Sequence, residues 1–203
     1  MPLAPVSLSG SLINLEPLTR ASGATLADIG LDPELWRLQP RAIRSVADMR
    51  AYIDEALAEQ VREASLPFVI VRRADHTVIG TTRFMDIALA HRRLEIGATW
   101  LAPAAQRTGA NVEAKLLLLR HAFESVGVQK VVLKTEALNM QSRTAILALG
   151  AVEEGTFRRH LIAENGRMRD MVYFSILDSE WPGVRSHLRA RLARYARQDA
   201  GDE

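Results

Sequence analysis

The chain has 203 residues, 48% hydrophobic and 25% charged, which is room for one domain with a sizeable core and an ordinary globular composition. Lysine and arginine number 26 against 24 acids, and a formal charge of +2 points to no particular partner. Cysteine is absent, which excludes disulfides, thiolate metal sites and thiol nucleophiles, and no stretch approaches the roughly 20 consecutive apolar residues of a membrane helix.

The first residues, MPLAPVSLSGSLINLEPL, lack the basic flank and compact apolar run of a secretory signal, so a cytoplasmic location and no membrane partner are expected. GSLINLEPL reads as a first strand, and residues 20–29 as a short helix closed by Gly30. A longer helix follows in SVADMRAYIDEALAEQVREA. Val46, Met49, Tyr52, Ile53, Leu57 and Val61 share one face, and Ser45 with Asp48 three residues on marks its N-terminus. Pro67 is expected to end it, after which FVIVRR and TVIGTTRFMDI form two strands about the turn ADHT. RRLEIGATWL is the next strand, and its internal Gly97 signals a bulge or a close approach.

QRTGAN, residues 106–111, then separates that strand from a helix expected over 112–126 and stopped by Gly127. KVVLKTE is a β-branched strand, NMQSRTAILALG a short helix with Gly150 at its end, and GTFRRHLIAENGRMRDMVYFSIL a hairpin turning on Asn165-Gly166. Five arginines (185, 189, 191, 194, 197) crowd the last twenty residues beside Leu188, Leu192 and Tyr195. A solvated helix face is favoured there over nucleic-acid binding, because basic and aromatic residues do not interleave. The five histidines (76, 91, 121, 160, 187) lack paired ligand spacing, so no metal is expected. Altogether the order implies a mixed α/β layer fold, with too many neighbouring hairpins for a doubly wound sheet.

QRTGAN is longer and more polar than a helix cap requires. A strand that turns directly into a helix aims the helix's free N–H groups into one small volume, which favours an anion such as phosphate. Gly109 allows close backbone approach or a positive φ, and Arg107 adds a forked cationic donor. The spacing matches neither GxxxxGK[ST] nor GxGxxG.

The bulge-marked strand, the Q-x-x-G-x start of the next helix, and then strand, NxxS, helix, LGA and hairpin resemble the GCN5-related N-acetyltransferase (GNAT) superfamily. LEIGATWL, NVEAKLLLLRHAFE, LKTEALNMQSRTAILALGA and the hairpin are similar to its ribosomal-protein alanine acetyltransferase branch, and the likeness covers most of residues 10–181. It implies a single acetyltransferase domain over residues 1–181, an arginine-rich helix or tail over 182–203, and a mostly antiparallel central sheet flanked by helices. The implied cosubstrate is acetyl-CoA, with its pyrophosphate on Gln106, Arg107, Thr108, Gly109, Ala110 and Asn111. Gln106 and Gly109 match the family's R/Q-x-x-G-x-G/A pattern, whereas Asn111 replaces its last small residue. Backbone groups of Thr99, Trp100 and Leu101 are implied to pair with the pantetheine arm, Asn139 to contact its amides, and Ser142 to protonate the leaving thiolate. Asn139 and Ser142 equally fit a plain helix cap.

Without cysteine, direct attack of a primary amine on the thioester is expected, rather than an acyl-enzyme. Glu95 is the candidate general base or a substrate-orienting edge residue, and Glu136 is its competitor. Trp36 and Trp100 suit either an acceptor pocket or the core, and Arg158, Arg159 and His160 either an acidic acceptor or a sheet edge. The acceptor is a protein N-terminus or a small amine, and a homodimer is in keeping with the resemblance. The alternative is a regulatory module that keeps the fold and binds CoA without transfer.

Overall fold

The computed structural model describes residues 3–199, and the side chains of residues 3–195. The side chain of Arg197, and residues 1–2 and 200–203 of the expected domain division, lie outside it. Eight strands form one sheet: β1 (Leu8–Ser9), β2 (Ile13–Pro17), β3 (Leu66–Arg72), β4 (Val78–Ala88), β5 (Arg93–Leu101), β6 (Lys130–Glu136), β7 (Val152–Ile162) and β8 (Met168–Leu177). Their spatial order is β1-β2-β3-β4-β5-β6-β8-β7, and every pairing is antiparallel except β5 with β6. The fold is therefore a mixed, mostly antiparallel α/β domain, as the sequence leads one to expect.

Helices cover both faces. α1 (Gly23–Gly30) and α2 (Val46–Val61) enclose a cluster containing Met49, Ile53, Val69, Val71, Trp36 and Trp100. On the other face, α3 (Ala110–Arg120), α4 (Met140–Leu147) and α5 (Trp181–Asp199) pack on a larger cluster with Phe68, Phe84, Leu118, Ile146, Phe174 and Leu188. β3 shows why both layers are needed, because Leu66, Phe68 and Ile70 enter one cluster while Val69 and Val71 enter the other. None of the described helices is long and apolar enough to cross a membrane.

α2 begins as its sequence dictates: Ser45 Oγ accepts from Asp48 N at 3.1 Å, and the Asp48 carboxylate accepts from Arg44 N at 2.9 Å. Pro67 does not end this helix. The chain turns earlier, through Glu63 at φ 59, and Pro67 becomes the second residue of β3, where a missing N–H is tolerated near a strand start. α3 starts at Ala110, two residues before the apolar pattern suggests, because Gly109 at φ 80 is its N-cap. It continues as a wider π-type turn over His121–Val126 and closes at Gly127. Trp181, Val184 and Leu188 anchor the arginine-rich α5 in the larger core.

Candidate functional site

β5 and β6 pair over only three positions, Arg93, Leu94 and Glu95 with Lys130, Val131 and Val132. Beyond Glu95 they part, and the gap opens into a cleft of about 850 Å³ lined by β5, β6, the QRTGAN loop and the start of α4. The cause is local to β5. Trp100 opposes Thr81 and Gly97 opposes Arg83, so β5 carries one residue more than β4 between the same rungs. The extra residue is Ala98, at φ 46, and such a bulge bends its strand. The expected bulge is present, but Ala98 and not Gly97 takes the left-handed conformation. Gly97 serves by its missing side chain, since a Cβ there would lie 2.7 Å from Glu95 Oε1 and 2.8 Å from Met85 Sδ.

The bulge also reverses which residues face which layer. Leu94 and Ile96 enter the α3 side, and unbroken alternation would send Trp100 after them. Instead Trp100 joins the α1–α2 cluster, while Leu101 returns to the α3 side. Glu95 and Gly97 thus border one half of the cleft, whereas Thr99 reaches Lys115 of α3.

At the α3 end, Gln106 Nε2 donates to Leu101 O at 3.2 Å and Thr108 Oγ1 to Ala105 O at 2.7 Å, folding the loop onto itself. Arg107, at φ 64, is exposed, and Ala110 is buried. Among the described residues the N–H groups of Ala110, Asn111 and Val112 have no hydrogen-bond acceptor; the first helical bond runs from Glu113 N to Gly109 O at 3.0 Å. Asn111 Oδ1 is buried and also unpaired among them. These free donors fit a pyrophosphate. A side chain at Gly109 would meet Tyr195 of α5 at 3.1 Å as well as suffering its positive φ. At the start of α4, Asn139 Oδ1 accepts from Ser142 N at 3.0 Å, so the cap is made, and both residues border the cleft.

The opposite half is rich in charge. Glu95 is 3% exposed, and its Oε2 lies 2.8 Å from Lys134 Nζ. Burial raises the Glu95 pKa, and the nearby Lys134 ammonium only partly opposes it. Burial works against the charge of Lys134, but Glu95 overcomes this and holds its pKa above the usual lysine value. Glu95 is no edge residue, for Met85 pairs with it on one side and Val132 on the other. Glu136 is also buried, but Arg167 and Arg169 both bind it. Desolvation would raise its pKa, yet these two guanidiniums pull it below the usual carboxylate range, which makes it a poor base.

Trp36 and Trp100 pack with ring centroids 5.6 Å apart and planes tilted by 60° in the α1–α2 core, and border the cleft at once. Arg158, Arg159 and His160 lie on the exposed edge strand β7, outside the cleft lining, which favours the sheet-edge reading. Sequence reasoning missed Lys115, Lys134 and Arg169, all of which border the cleft. Among the described residues no group of three His, Asp or Glu is placed to hold a metal.

Comparison with known proteins agrees with this architecture. Residues 13–152 match the family described as the acetyltransferase (GNAT) domain. "Putative ribosomal N-acetyltransferase YdaF" of Bacillus subtilis (strain 168) is 31% identical over 109 residues, which cover 54% of this chain and 58% of that relative, little more than half its length. A GCN5-related N-acetyltransferase from Brucella melitensis superposes with a TM-score of 0.88 at 27% identity, covering 95% of this chain and 87% of its own. Mycobacterium smegmatis RimJ, solved in complex with CoA-disulfide, shares the fold at a TM-score of 0.77 and 24% identity, with 93% of each chain covered. A β5–β6 fork between two helical layers, in a chain whose residues 13–152 carry the family's pattern, is explained by common descent: this protein belongs to the GNAT acetyltransferase family.

Proposed function

We propose that the protein is an acetyl-CoA-dependent N-acetyltransferase that acetylates a primary amine by direct attack. The observation that carries this reading is one continuous cleft with free helix-terminal N–H groups at one end and a buried carboxylate with a raised pKa, Glu95, at the other. Residues 106–111 hold the pyrophosphate, with Gly109 admitting it to the α3 terminus. Backbone groups of Thr99, Trp100 and Leu101, left without a partner on the β6 side where β6 diverges, pair with the pantetheine arm and polarise the acetyl carbonyl. Asn139 borders the arm, and Ser142 lies beside the sulfur.

Glu95, on the α2 side, accepts a proton from the incoming ammonium, directly or through one water. Its raised pKa brings its basicity closer to neutral pH, where a general base is most effective. Lys134 keeps part of the Glu95 population ionised. The acceptor is a protein N-terminus or a small amine, and the relative named "Putative ribosomal N-acetyltransferase YdaF" lends weight to the first. A homodimer is proposed through β7, an exposed edge strand that presents Phe157 and Ile162 to solvent; light scattering of a Phe157→Lys variant tests it. Transfer is assigned to residues 1–181, and α5 (Trp181–Asp199) closes the cofactor end.

The test is calorimetric titration of the wild type and of Gly109→Trp with acetyl-CoA, followed by an amine screen that detects free thiol. Binding that the variant loses, together with amine-dependent thiol release, supports the enzyme. Binding without release by any amine or N-terminal peptide favours the CoA-binding regulatory module, and no binding by folded wild type refutes both.

A further inference from the structure

Lys115 is a charged residue type in the middle of an apolar helix face, and neither the anion loop nor Glu95 accounts for it. It lies in the second turn of α3, is 6% exposed and borders the cleft. Its Nζ donates to Thr99 Oγ1 at 2.6 Å, its one side-chain hydrogen bond among the described residues, and Thr99 Oγ1 in turn meets Thr82 Oγ1 at 2.8 Å. The lysine therefore sits against the bulge whose backbone faces the thioester. Among the described residues no carboxylate neutralises it. Glu113, on the same helix, is turned to the β1–β2 turn; Glu95 of β5 is on the other side of the strand with Lys134 of β6; Arg83 of β4 holds Glu59; and on α5 Arg191 and His187 bond to Ala148 O. Burial without a counter-charge lowers the Lys115 pKa to about 7.

We infer that Lys115 is the proton donor to the departing thiolate of coenzyme A, a role that rests on the acetyltransferase reading above. The chemistry closes as follows. The amine nitrogen forms a C–N bond to the acetyl carbon, the C–S bond breaks with its electron pair on sulfur, and that sulfur takes a proton from the Lys115 ammonium. Glu95 takes the ammonium's proton before attack and passes it to solvent, then takes the second proton that leaves nitrogen as the amide forms, and solvent resets both Glu95 and Lys115 once the product thiol leaves. The bulge puts donor and base on opposite sides of β5, as a reaction with its leaving group on one side and its nucleophile on the other requires. A lysine whose pKa is brought to about 7 is an acid matched to a thiol leaving group, whereas the Ser142 hydroxyl is far too weak an acid for the role.

The test needs no acceptor. The chain contains no cysteine, so thiolate absorbance in a protein–CoA complex reports the bound coenzyme alone. In the wild type, an ammonium beside sulfur lowers the pH at which bound CoA becomes thiolate, by about one to three units relative to free CoA. Lys115→Met abolishes that shift, and Lys115→Arg retains it. A wild-type complex whose thiol titrates like free CoA overturns the assignment even if Lys115→Met fails to fold, and so does a shift that survives in Lys115→Met. Absence of CoA binding overturns the acetyltransferase reading itself, and this inference with it.

Discussion

Glu113 offers a demanding test of how the cofactor loop is held. It stands in the first turn of α3, next to QRTGAN, yet its carboxylate leaves the helix and accepts from Ser11 N at 2.7 Å, Ser11 Oγ at 2.6 Å, Leu12 N at 2.7 Å and Ile13 N at 2.8 Å. Each oxygen takes two of these bonds. Glutamine preserves the shape but exchanges one oxygen for an amide NH2, so two bonds are lost and two donors face a donor. Charge-assisted bonds contribute about 1.5–3 kcal/mol each, and Ser11 retains some access to water. Glu113→Gln should therefore cost about 3–5 kcal/mol, the range for breaking a buried polar network. At about 2–4 °C per kcal/mol for a chain of this size, the melting temperature falls by about 6–20 °C. Urea unfolding followed by circular dichroism measures the loss, and calorimetry at a temperature where the variant stays folded measures weakened acetyl-CoA binding. A cost below about 1 kcal/mol would refute the reasoning, because the β1–β2 turn would then be held to α3 by something else.

Replacing Glu95 by glutamine should lower turnover by about 100- to 10,000-fold with acetyl-CoA affinity preserved, measured with the amine found by thiol release. In the wild type the acidic limb of the rate profile should lie above the usual glutamate pKa, since protonated Glu95 cannot accept a proton, and this limb should vanish in Glu95→Gln. Lys115 makes a separate prediction about stability. Its pKa is lower folded than unfolded, so between about pH 7 and 10.5 the unfolded chain holds a proton that the native one has released, and stability rises with pH across that window. The full span is worth about 5 kcal/mol. Lys115→Met should be the more stable protein at pH 7, with an advantage that shrinks towards pH 10 in urea titrations; a constant difference would show that the folded lysine keeps its proton across this window and that burial does not lower its pKa. Ser45→Ala should cost about 1 kcal/mol through loss of the α2 cap, and a neutral result would mean that Asp48 alone secures that terminus.

The elements that could be read in advance are those whose signals are local. α2 has its cap and stripe, β6 its β-branched run, and the β7–β8 hairpin its Asn-Gly turn. The open helix start at Gly109 was legible because strand, glycine and helix follow one another directly. What escaped depends on distant partners. β1 is two residues long and exists only through its pairing with β2. Pro67 looks like a stop unless the neighbouring strands are known. Lys115 and Glu113 read as solvated helix positions, yet Val112, Ala114, Leu117, Leu118 and Leu119 leave α3 no polar stripe in which to place them. A helix apolar on nearly every side buries whatever charges it carries, and that pattern was the available clue. The weakness of Glu136 as a base had no local sign, because Arg167 and Arg169 reach it from β8 and the turn before it.

The extra residue at Ala98 has a consequence for how such a protein diversifies. By exchanging the faces of β5 part-way along, it assigns Met85, Glu95 and Gly97 to one wall and Thr99, Leu101 and Lys115 to the other. Four residues of strand separate Glu95 from Thr99, about 13 Å, and effects of substitutions that far apart generally add. Under the proposed function, selection can therefore remodel the acceptor wall for a new amine while the thioester wall stays as it was, so that the two specificities are inherited as independent traits of a single strand.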